Sequence, residues 1–269
     1  MPEGDTIYRA ARTMHAALAG RVVTRFDSVY PQLIRVDDQT PIAGRTIDRV
    51  SATGKHLIID FSGDLHLHTH MRMSGSWHLY RPGERWWRPK RDMRIVVSTA
   101  EILAVGFNVP IAEFQTGRQL ERNEELRQIG PDLLSDSFDA GEVLTRMRAR
   151  PDREIADVLL NQRVMSGIGN VFKSEILHVC GVNPFQLVAG LDDVALQNII
   201  SVSLKLLRQN VLPETRGRKT TRLLNPSEQL WVYGRGAEPC RTCGARILYR
   251  KQGADARGTY WCPTCQTLK

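Results

Sequence analysis

The chain has 269 residues, of which 42% are hydrophobic and 25% charged, and its formal net charge is +8. This composition excludes a disordered chain, and the length allows two domains with a sizeable core. The segment 213–269 holds 11 basic and four acidic side chains, which leaves the rest of the chain close to neutral. We therefore expect a polyanion to bind to the C-terminal fifth.

Hydropathy and cysteine placement indicate the compartment. No apolar stretch approaches the roughly 20 residues that span a membrane, and charged residues from Glu3 to Arg12 interrupt any secretory signal. Four of the five cysteines form two close pairs, and Cys180 lies in an apolar helical pattern as a packing residue. A reducing compartment with a metal site explains this better than a disulfide framework. We expect a cytoplasmic protein.

The first predicted elements are one helix and a set of strands. Apolar residues recur at helical spacing from Ile7 to Leu18, and Gly20 closes the segment as a predicted C-cap. From about Arg21 to Ala112, short alternating or apolar runs predict an antiparallel β-sandwich or barrel. These runs are VVTRF, RTIDRVS, HLIIDF, DLHLHTHM, MRIVVSTA and EILAVGF.

Helical periodicity returns after this region, and the chain ends in short strands around the cysteine pairs. The fold class is therefore α+β and multidomain. The predicted helices cover 138–148, 155–164, 171–179 and 193–209, and the basic stretch 213–226 predicts a mobile loop. The predicted domains are an N-terminal β-sandwich domain at 1–120, a helical domain with the basic loop at 121–230, and a zinc finger at 231–269.

The two cysteine pairs have the spacing of a zinc ribbon. Cys240, Cys243, Cys262 and Cys265 form C-x2-C-x18-C-x2-C. Each pair places two thiolates on one tight knuckle, and the residues between the pairs are sufficient for a hairpin. A redox dithiol would need a neighbouring βαβ unit, which the sequence does not predict. We predict one structural Zn²⁺ with a closed ligand shell.

The stretch NQRVMSGIGNVFKSEIL predicts two helices joined by a tight turn. Gly167 and Gly169 permit unusual backbone angles, and Asn170 is a favoured helix N-cap. Amides at such a helix start can bind phosphate. A dinucleotide-binding motif is excluded because no strand precedes the glycines and the third glycine is missing. By itself, the pattern indicates a capped turn.

Together, the Pro-Glu pair after Met1, the GIGNVFKSEIL turn and the ARGTYWCPTCQ hairpin resemble the formamidopyrimidine-DNA glycosylase and endonuclease VIII family. The resemblance spans the whole chain. PEGDT, TGKHL, HMRMSGSW and LWVYGR resemble the endonuclease VIII branch more closely, in particular its actinobacterial-type members. The family resemblance implies a helix-two-turn-helix domain and a bifunctional enzyme of base excision repair.

The resemblance assigns the nucleophile to Pro2. In such enzymes Met1 is removed and the secondary amine of Pro2 attacks C1′ of the damaged nucleotide. The iminium that forms is cationic, so it acidifies the C2′ proton and drives β- and then δ-elimination. Without the other motifs, Pro2 and Glu3 would simply be residues that favour a helix start.

The same resemblance assigns the remaining site residues. Glu3 would protonate the sugar ring oxygen, Lys55 would contact phosphate and aid proton transfer, and Arg257 would grip the flanking phosphate. His70 and Asn170 would also bind phosphate. Arg72 and Met73 occupy the loop that the family inserts into the duplex when a base is rotated out. Alternatively, alternating His66, His68 and His70 share one strand face and could form a metal site.

Three departures from the family pattern bear on the substrate. Thr6 stands where many relatives carry a second glutamate, and Phe107 is a doubtful substitute for the residues that fill the void in formamidopyrimidine enzymes. The loop PETRGRKTTRL is shorter than the lid of those enzymes. These differences favour oxidised pyrimidines and loose discrimination of the opposite base.

We therefore expect a monomeric, nucleoid-associated DNA glycosylase and abasic-site lyase that acts on double-stranded DNA with damaged bases or abasic sites. Pro2 would need no redox or nucleotide cofactor. Two alternatives stay open. One is an 8-oxopurine-directed, formamidopyrimidine-type glycosylase, and the other is a non-catalytic zinc-finger protein that binds damaged DNA.

Overall fold

The computed structural model describes residues 2–213, 217–221, 223, 225 and 227–268. It divides into two compact units, Met1–Gln128 and Ile129–Lys269. Part of the predicted mobile loop at 213–226 lies outside the described residues, as does Met1. No helix in the described part of the chain is long and apolar enough to cross a membrane.

The first unit begins with helix α1, Gly4–Leu18. It begins three residues before Ile7, the first apolar residue of the predicted periodicity, because Glu3 and Thr6 form a cap. The prediction of Gly20 as C-cap was wrong by one residue: Ala19 is the C-cap, and Gly20 follows with a φ of 79°, a left-handed conformation that favours glycine. The buried face of α1 carries Ile7, Ala11, Met14 and Leu18.

Eight strands form two four-stranded antiparallel sheets. They are β1 (Val23–Ser28), β2 (Ile47–Thr53), β3 (His56–Phe61), β4 (Leu65–His70), β5 (Ser76–Tyr80), β6 (Met93–Thr99), β7 (Leu103–Phe107) and β8 (Ile111–Gln115). The strand orders are β1-β6-β7-β5 and β2-β3-β4-β8. The antiparallel sandwich predicted from the alternating runs is confirmed.

A single apolar core joins α1 to residues of both sheets. Strand β3 is buried at every residue, which explains why HLIIDF has so little alternation. A smaller cluster, formed by Tyr80, Val96, Val105 and Phe107, is separate from that core.

Helix α2, Pro31–Gln39, lies inside the strand-rich region and was not predicted from the sequence. Pro31 occupies its first turn, where a missing N–H costs nothing. Only Leu33 of this helix is buried, so its apolar periodicity is too weak to detect. Two short helices, α3 (Gly117–Arg122) and α4 (Glu124–Arg127), close the unit.

The second unit is helical before its C-terminal hairpin. Its helices are α5 (Ala140–Arg148), α6 (Ile155–Leu160), α7 (Asn170–Val179) and α8 (Asp193–Gln209). Helix α6 ends four residues before the predicted Val164, since residues after Asn161 form turns although Val164 and Met165 are buried. The prediction of Asn170 as N-cap was wrong: Gly169 is the N-cap and Asn170 is the first helical residue.

The chain ends in a two-stranded antiparallel hairpin, β9 (Leu248–Gln252) and β10 (Arg257–Trp261). Cys240 and Cys243 precede β9, and Cys262 and Cys265 follow β10. The predicted ribbon hairpin is therefore confirmed.

Candidate functional site

The start of the chain is a tightly capped helix. Glu3 is fully buried as the N-cap of α1, and the half-buried Pro2 precedes it. The Thr6 hydroxyl accepts a hydrogen bond from the Glu3 N–H at 2.8 Å and donates one to the Glu3 carbonyl oxygen at 2.9 Å. Thr6, the position that departs from the family pattern, thus fixes the backbone of Glu3.

Two contacts set the direction of α1 against β2. The Gly20 N–H donates to the Ile47 carbonyl oxygen at 2.8 Å, and the Val50 N–H donates to His15 Nδ1 at 3.2 Å. The helix therefore runs opposite to the strand. From His15 back to Glu3 the helix spans about 18 Å, and from Val50 the strand spans about 10 Å to Thr53, just before the turn that holds Lys55. Glu3 and Lys55 consequently lie towards the same end of the sheet.

His70 and Arg72 lie at that end as well. Lys55 occupies the turn between β2 and β3, and the next residue, His56, pairs directly with His70 across β3 and β4. The Arg72 N–H donates to His70 Nδ1 at 3.0 Å. An imidazole that accepts at Nδ1 while neutral carries its proton on Nε2, so His70 Nε2 is a donor.

The electrostatics of this cluster keep the imidazoles uncharged at neutral pH. Burial, and then the positive charges of Arg72 and Lys55, lower the pKa of His70 to about 4. Burial, followed by the neighbouring histidines and the same two cations, lowers the pKa of His56 to about 3. Lys55 and Arg72 are therefore the positively charged members of this cluster of four residues.

Arg72 and Met73 protrude on a tight turn between β4 and β5. Arg72 has a φ of 46°, and the Met73 side chain is 57% exposed. The Gly75 N–H donates to the Met71 carbonyl oxygen at 2.9 Å. A Cβ at Gly75 would approach that oxygen to 2.6 Å, so glycine is required for the turn.

The alternating histidines have separate partners. His66 Nδ1 lies 2.7 Å from Asp60 Oδ1, and His68 Nε2 lies 2.8 Å from His56 Nδ1. Within the described residues, the four hairpin cysteines are the one group placed to hold a metal ion. Phe107 is fully buried against Tyr80 and its neighbours, and is therefore unable to fill a void in DNA.

In the second unit, Asn170 lies beside the hairpin that carries Arg257. The Asn170 Nδ2 donates to the Gly258 carbonyl oxygen at 2.7 Å. Arg257 begins β10 and lies 3.4 Å from Asp255. Next to it is a cavity of about 540 Å³, whose lining includes the basic side chains of Arg150 and Arg153. The same lining includes Arg257 and the carboxylates of Asp157 and Asp255, so three arginines and two acidic side chains surround this depression.

The four cysteine sulfurs converge on one point. Their Sγ atoms lie within 4.8 Å of one another, with Cys240 to Cys265 at 3.9 Å and Cys243 to Cys262 at 3.4 Å. A tetrahedral ion with Zn–S bonds of about 2.3 Å separates its sulfurs by about 3.8 Å. The arrangement fits such a metal, and four thiolates leave no open coordination position.

Comparisons with known proteins cover all parts of the chain. The formamidopyrimidine-DNA glycosylase N-terminal domain matches residues 1–110, the formamidopyrimidine-DNA glycosylase H2TH domain matches 129–222, and a zinc finger found in FPG and IleRS matches 237–268. The probable endonuclease 8 2 of Streptomyces coelicolor is 40% identical over 269 residues, 99% of this chain and 94% of that protein. The chain belongs to the formamidopyrimidine-DNA glycosylase and endonuclease VIII family.

Further members of the family support the same assignment. The DNA-(apurinic or apyrimidinic site) lyase Nei2 of Mycolicibacterium smegmatis is 37% identical, with 99% of both chains covered. Endonuclease 8 of Escherichia coli is 31% identical, covering 99% of this chain and all of that protein. The Lactococcus lactis Fpg in complex with DNA containing an abasic site has the same fold, with a TM-score of 0.84 at 24% identity over 99% of this chain and all of that one.

Two buried charged residues of this family member escaped the sequence analysis. Glu175 accepts hydrogen bonds from the N–H groups of residues 231, 232 and 233 at 2.7, 2.9 and 2.8 Å, immediately before the first cysteine pair. The Lys173 ammonium donates to Thr259 Oγ1 at 2.7 Å on β10. Helix α7 thereby contacts both the segment that precedes the first cysteine pair and the middle of β10. Because Glu175 and Lys173 fall in an apolar helical pattern, only their charge could have indicated this role.

Proposed function

We propose that this protein excises oxidised pyrimidines from double-stranded DNA and then cleaves the abasic strand, with Pro2 as the nucleophile. The reaction class is that of its family: a DNA glycosylase and abasic-site lyase of base excision repair. The observation that carries the assignment to Pro2 is its place beside the buried Glu3, at the end of the sandwich that also holds Lys55, His70 and Arg72.

The proposed chemistry starts at the Pro2 amine once Met1 is removed. Its lone pair forms a bond to C1′ of the damaged nucleotide, and the bond from C1′ to the base breaks with its electrons leaving on the base. The prolyl nitrogen then loses its proton, its lone pair forms the C=N bond as the bond from C1′ to the ring oxygen breaks, and Glu3 gives a proton to that oxygen, which opens the ring and leaves an iminium. A secondary amine makes that iminium permanently cationic, so it withdraws electrons from the C2′–H bond.

Loss of the C2′ proton then breaks the bond from C3′ to the 3′ phosphate oxygen. A second elimination breaks the bond to the 5′ phosphate and completes strand cleavage. The positive end of the α1 dipole disfavours protonation of the neighbouring amine and keeps it nucleophilic. No redox or nucleotide cofactor enters these steps.

Phosphate contacts position the strand without reading its sequence. In the sandwich unit, we assign them to Lys55, His70 and Arg72, with the neutral His70 donating from Nε2 to a phosphate oxygen. In the second unit, we assign them to Asn170 and Arg257. Arg72 and Met73, on their protruding turn, enter the duplex where the damaged nucleotide is rotated out.

One Zn²⁺ ion held by Cys240, Cys243, Cys262 and Cys265 is proposed to stabilise the hairpin. Its four protein ligands exclude substrate, so the ion has a structural role and takes no part in bond breaking. The ion keeps the hairpin folded, and the folded hairpin holds Arg257 in place for phosphate binding. We propose a three-part organisation, 1–120, 121–230 and 231–269, and a monomer that works in the cytoplasm on the nucleoid.

The preference for oxidised pyrimidines is supported by two features. The loop that would cover an oxidised purine is short, and Phe107 is buried and takes no part in probing the opposite base. The test compares excision of thymine glycol or dihydrouracil with excision of 8-oxoguanine from otherwise identical duplexes. Faster release of the pyrimidine lesions is expected, and faster release of 8-oxoguanine would favour the formamidopyrimidine-type alternative.

Borohydride trapping on abasic DNA tests the nucleophile. The protein should form a covalent adduct, and Pro2→Gly should bind the same DNA while losing strand cleavage by about 100-fold or more. Pro31→Gly, at the start of α2, is the matched control and should cleave normally. An undiminished adduct with Pro2→Gly would contradict the proposal, and absence of any adduct with the parent protein would favour a non-catalytic DNA-binding protein.

A further inference from the structure

The segment between β5 and β6, residues 81–92, is basic and carries two adjacent tryptophans. Its sequence is RPGERWWRPKRD, with five cations and two carboxylates. Within the described parts of the chain, none of those five cationic side chains forms an ion pair. Uncompensated positive charge on one exposed segment attracts a polyanion.

The two tryptophans have opposite environments. Trp86 packs edge-to-face on the buried Phe107, with ring centroids 5.6 Å apart, and lies 6.1 Å from Tyr80. Trp87, the next residue, is 81% exposed. Trp86 therefore anchors the segment to the smaller apolar cluster of the sandwich unit, and this anchoring directs Trp87 outwards.

The backbone of Trp87 and one side of its ring contact the sandwich unit. The backbone N–H of Trp87 donates to the Tyr80 hydroxyl at 3.3 Å, and the Trp87 and His78 rings meet edge-on with their centroids 6.3 Å apart. The Arg81 N–H donates to Glu84 Oε2 at 2.8 Å and closes the preceding turn. An open cavity of about 610 Å³ is lined by residues 84–90. A flat aromatic face is thus presented beside a cavity and between arginines.

We propose that Trp87, Arg85 and Arg88 form a binding surface for unpaired DNA, in which a base stacks on the Trp87 indole and the arginines hold the adjoining phosphates. Aromatic side chains within a cationic groove bind single strands without sequence preference, because every base has a π-face. An acidic protein surface would satisfy the arginines but would leave the indole without a matching planar group. Single-stranded DNA satisfies both.

The strand register places this segment near the proposed insertion turn. Ser76 and Met93 both pair with Phe107, one on each side of β7. The turn carrying Arg72 and Met73 precedes Ser76, and Asp92 precedes Met93, so the turn and the last part of the 81–92 segment lie at the same end of the sheet, whereas the segment begins at the opposite end, after Tyr80. If Arg72 and Met73 separate bases in the duplex, as the proposed function requires, unpaired nucleotides arise at the end where this segment finishes.

The test measures binding of a labelled oligothymidylate of about 15 nucleotides, a length suited to one single-strand site, and of an undamaged duplex of equal length. Trp87→Ala should weaken oligothymidylate binding by at least about fivefold, the loss expected when one stacked base is released. Duplex binding should change by less than about twofold, since paired bases offer no free face. Val194→Ala, another highly exposed apolar residue, is the control and should bind both probes normally.

A second variant separates charge from stacking. Arg85→Ala should weaken binding of both probes and reduce the salt dependence, whereas Arg122→Ala, which removes an exposed arginine from α3, should do neither. Unchanged oligothymidylate binding by Trp87→Ala, or equal losses for oligothymidylate and duplex, would overturn the proposal. Oligothymidylate carries no lesion and its binding involves no strand cleavage, so failure of the Pro2 assignment is distinguished from failure of this one.

Discussion

The sandwich unit and the C-terminal hairpin hold their proposed DNA-contacting side chains in different ways. In the sandwich, Lys55 and His70 lie at the ends of strands that pair on both sides, and β3 is buried along its whole length. In the hairpin, β9 is exposed at four of its five residues and pairs with β10 alone. A two-stranded hairpin with so little buried surface is only marginally stable by itself.

The hairpin compensates through a few strong attachments. Four thiolates converge at its base, Glu175 binds three backbone amides in front of it, and Lys173 binds Thr259 on β10. In the sandwich, stability is spread over a large apolar core. Single polar substitutions should therefore cause much greater loss in the hairpin than at the sandwich site, where the backbone holds the cluster.

The largest effect is expected from removal of a metal ligand. Cys262→Ser should abolish metal binding and the order of β9 and β10, because structural zinc contributes about 10 kcal/mol or more to folding in small zinc domains. Metal content and affinity for abasic DNA are the measurements. Cys180→Ser is the control: burial raises the pKa of this thiol to about 12, it lies outside the cluster, and the variant should keep the metal. Normal DNA affinity of Cys262→Ser would contradict the view that the hairpin depends on its metal site.

A smaller but clear loss is expected from Glu175→Gln. One amide nitrogen would replace a carboxylate oxygen and would face a backbone N–H, so we expect the free energy of unfolding to fall by about 2 to 3 kcal/mol. Urea unfolding of the full chain measures it. Glu142→Gln, at an exposed ion pair with Arg146, should cost no more than about 0.5 kcal/mol. Equal losses of unfolding free energy in the two variants would show that Glu175 does not anchor residues 231–233.

Thr6→Ala probes the sandwich site. Loss of the two hydrogen bonds between the Thr6 hydroxyl and the Glu3 backbone should cost about 1 kcal/mol. Strand cleavage should decline by less than in any hairpin variant, because the core still holds α1 in place. Thr6→Ser retains the hydroxyl and should restore both stability and cleavage. If Thr6→Ala abolishes cleavage while Thr6→Ser does not, the cap is more important than the sandwich scaffold.

A further effect, comparable in size to that of Thr6→Ala, concerns pH. The folded protein lowers the pKa of His56 from 6.5 to about 3, so it keeps His56 neutral where the unfolded chain binds a proton. The free energy of unfolding should therefore fall as the pH drops from 6.5 towards 3. Between pH 7 and pH 5, the free energy of unfolding of His56→Gln should fall by about 1 to 2 kcal/mol less than that of the parent protein. Between pH 7 and pH 8 the free energy of unfolding of the two proteins should change in the same way. Equal changes between pH 7 and pH 5 would contradict the lowered pKa of His56.

The elements that the sequence predicted well are those with strong periodicity. Six strand runs and the helix 193–209 follow directly from apolar spacing, and the cysteine spacing predicted the hairpin. Helix α2 was missed because it buries only Leu33. The apolar residues Val164 and Met165 extended the helical pattern into a turn, where tertiary packing rather than helix formation buries them.

The polar attachments lie beyond sequence reasoning for a different reason. Glu175 meets its backbone partners across more than 50 residues of sequence, so only the folded chain brings them together. The roles of Lys55, His70 and Arg257 came from resemblance to the family, since isolated cations are ordinarily solvated surface groups. Thr6 was evident as a departure from the family pattern, but its capping role required the geometry of α1.

The most direct test of the Pro2 assignment is the position of the covalent bond to DNA. The borohydride-trapped adduct with abasic DNA would be digested, and the peptide that carries the sugar would be sequenced by mass spectrometry. We predict that the modified peptide begins at Pro2, lacks Met1 and carries the sugar on the prolyl nitrogen. A sugar attached to Lys55 or to any other lysine, or a modified peptide that retains Met1, would contradict the account.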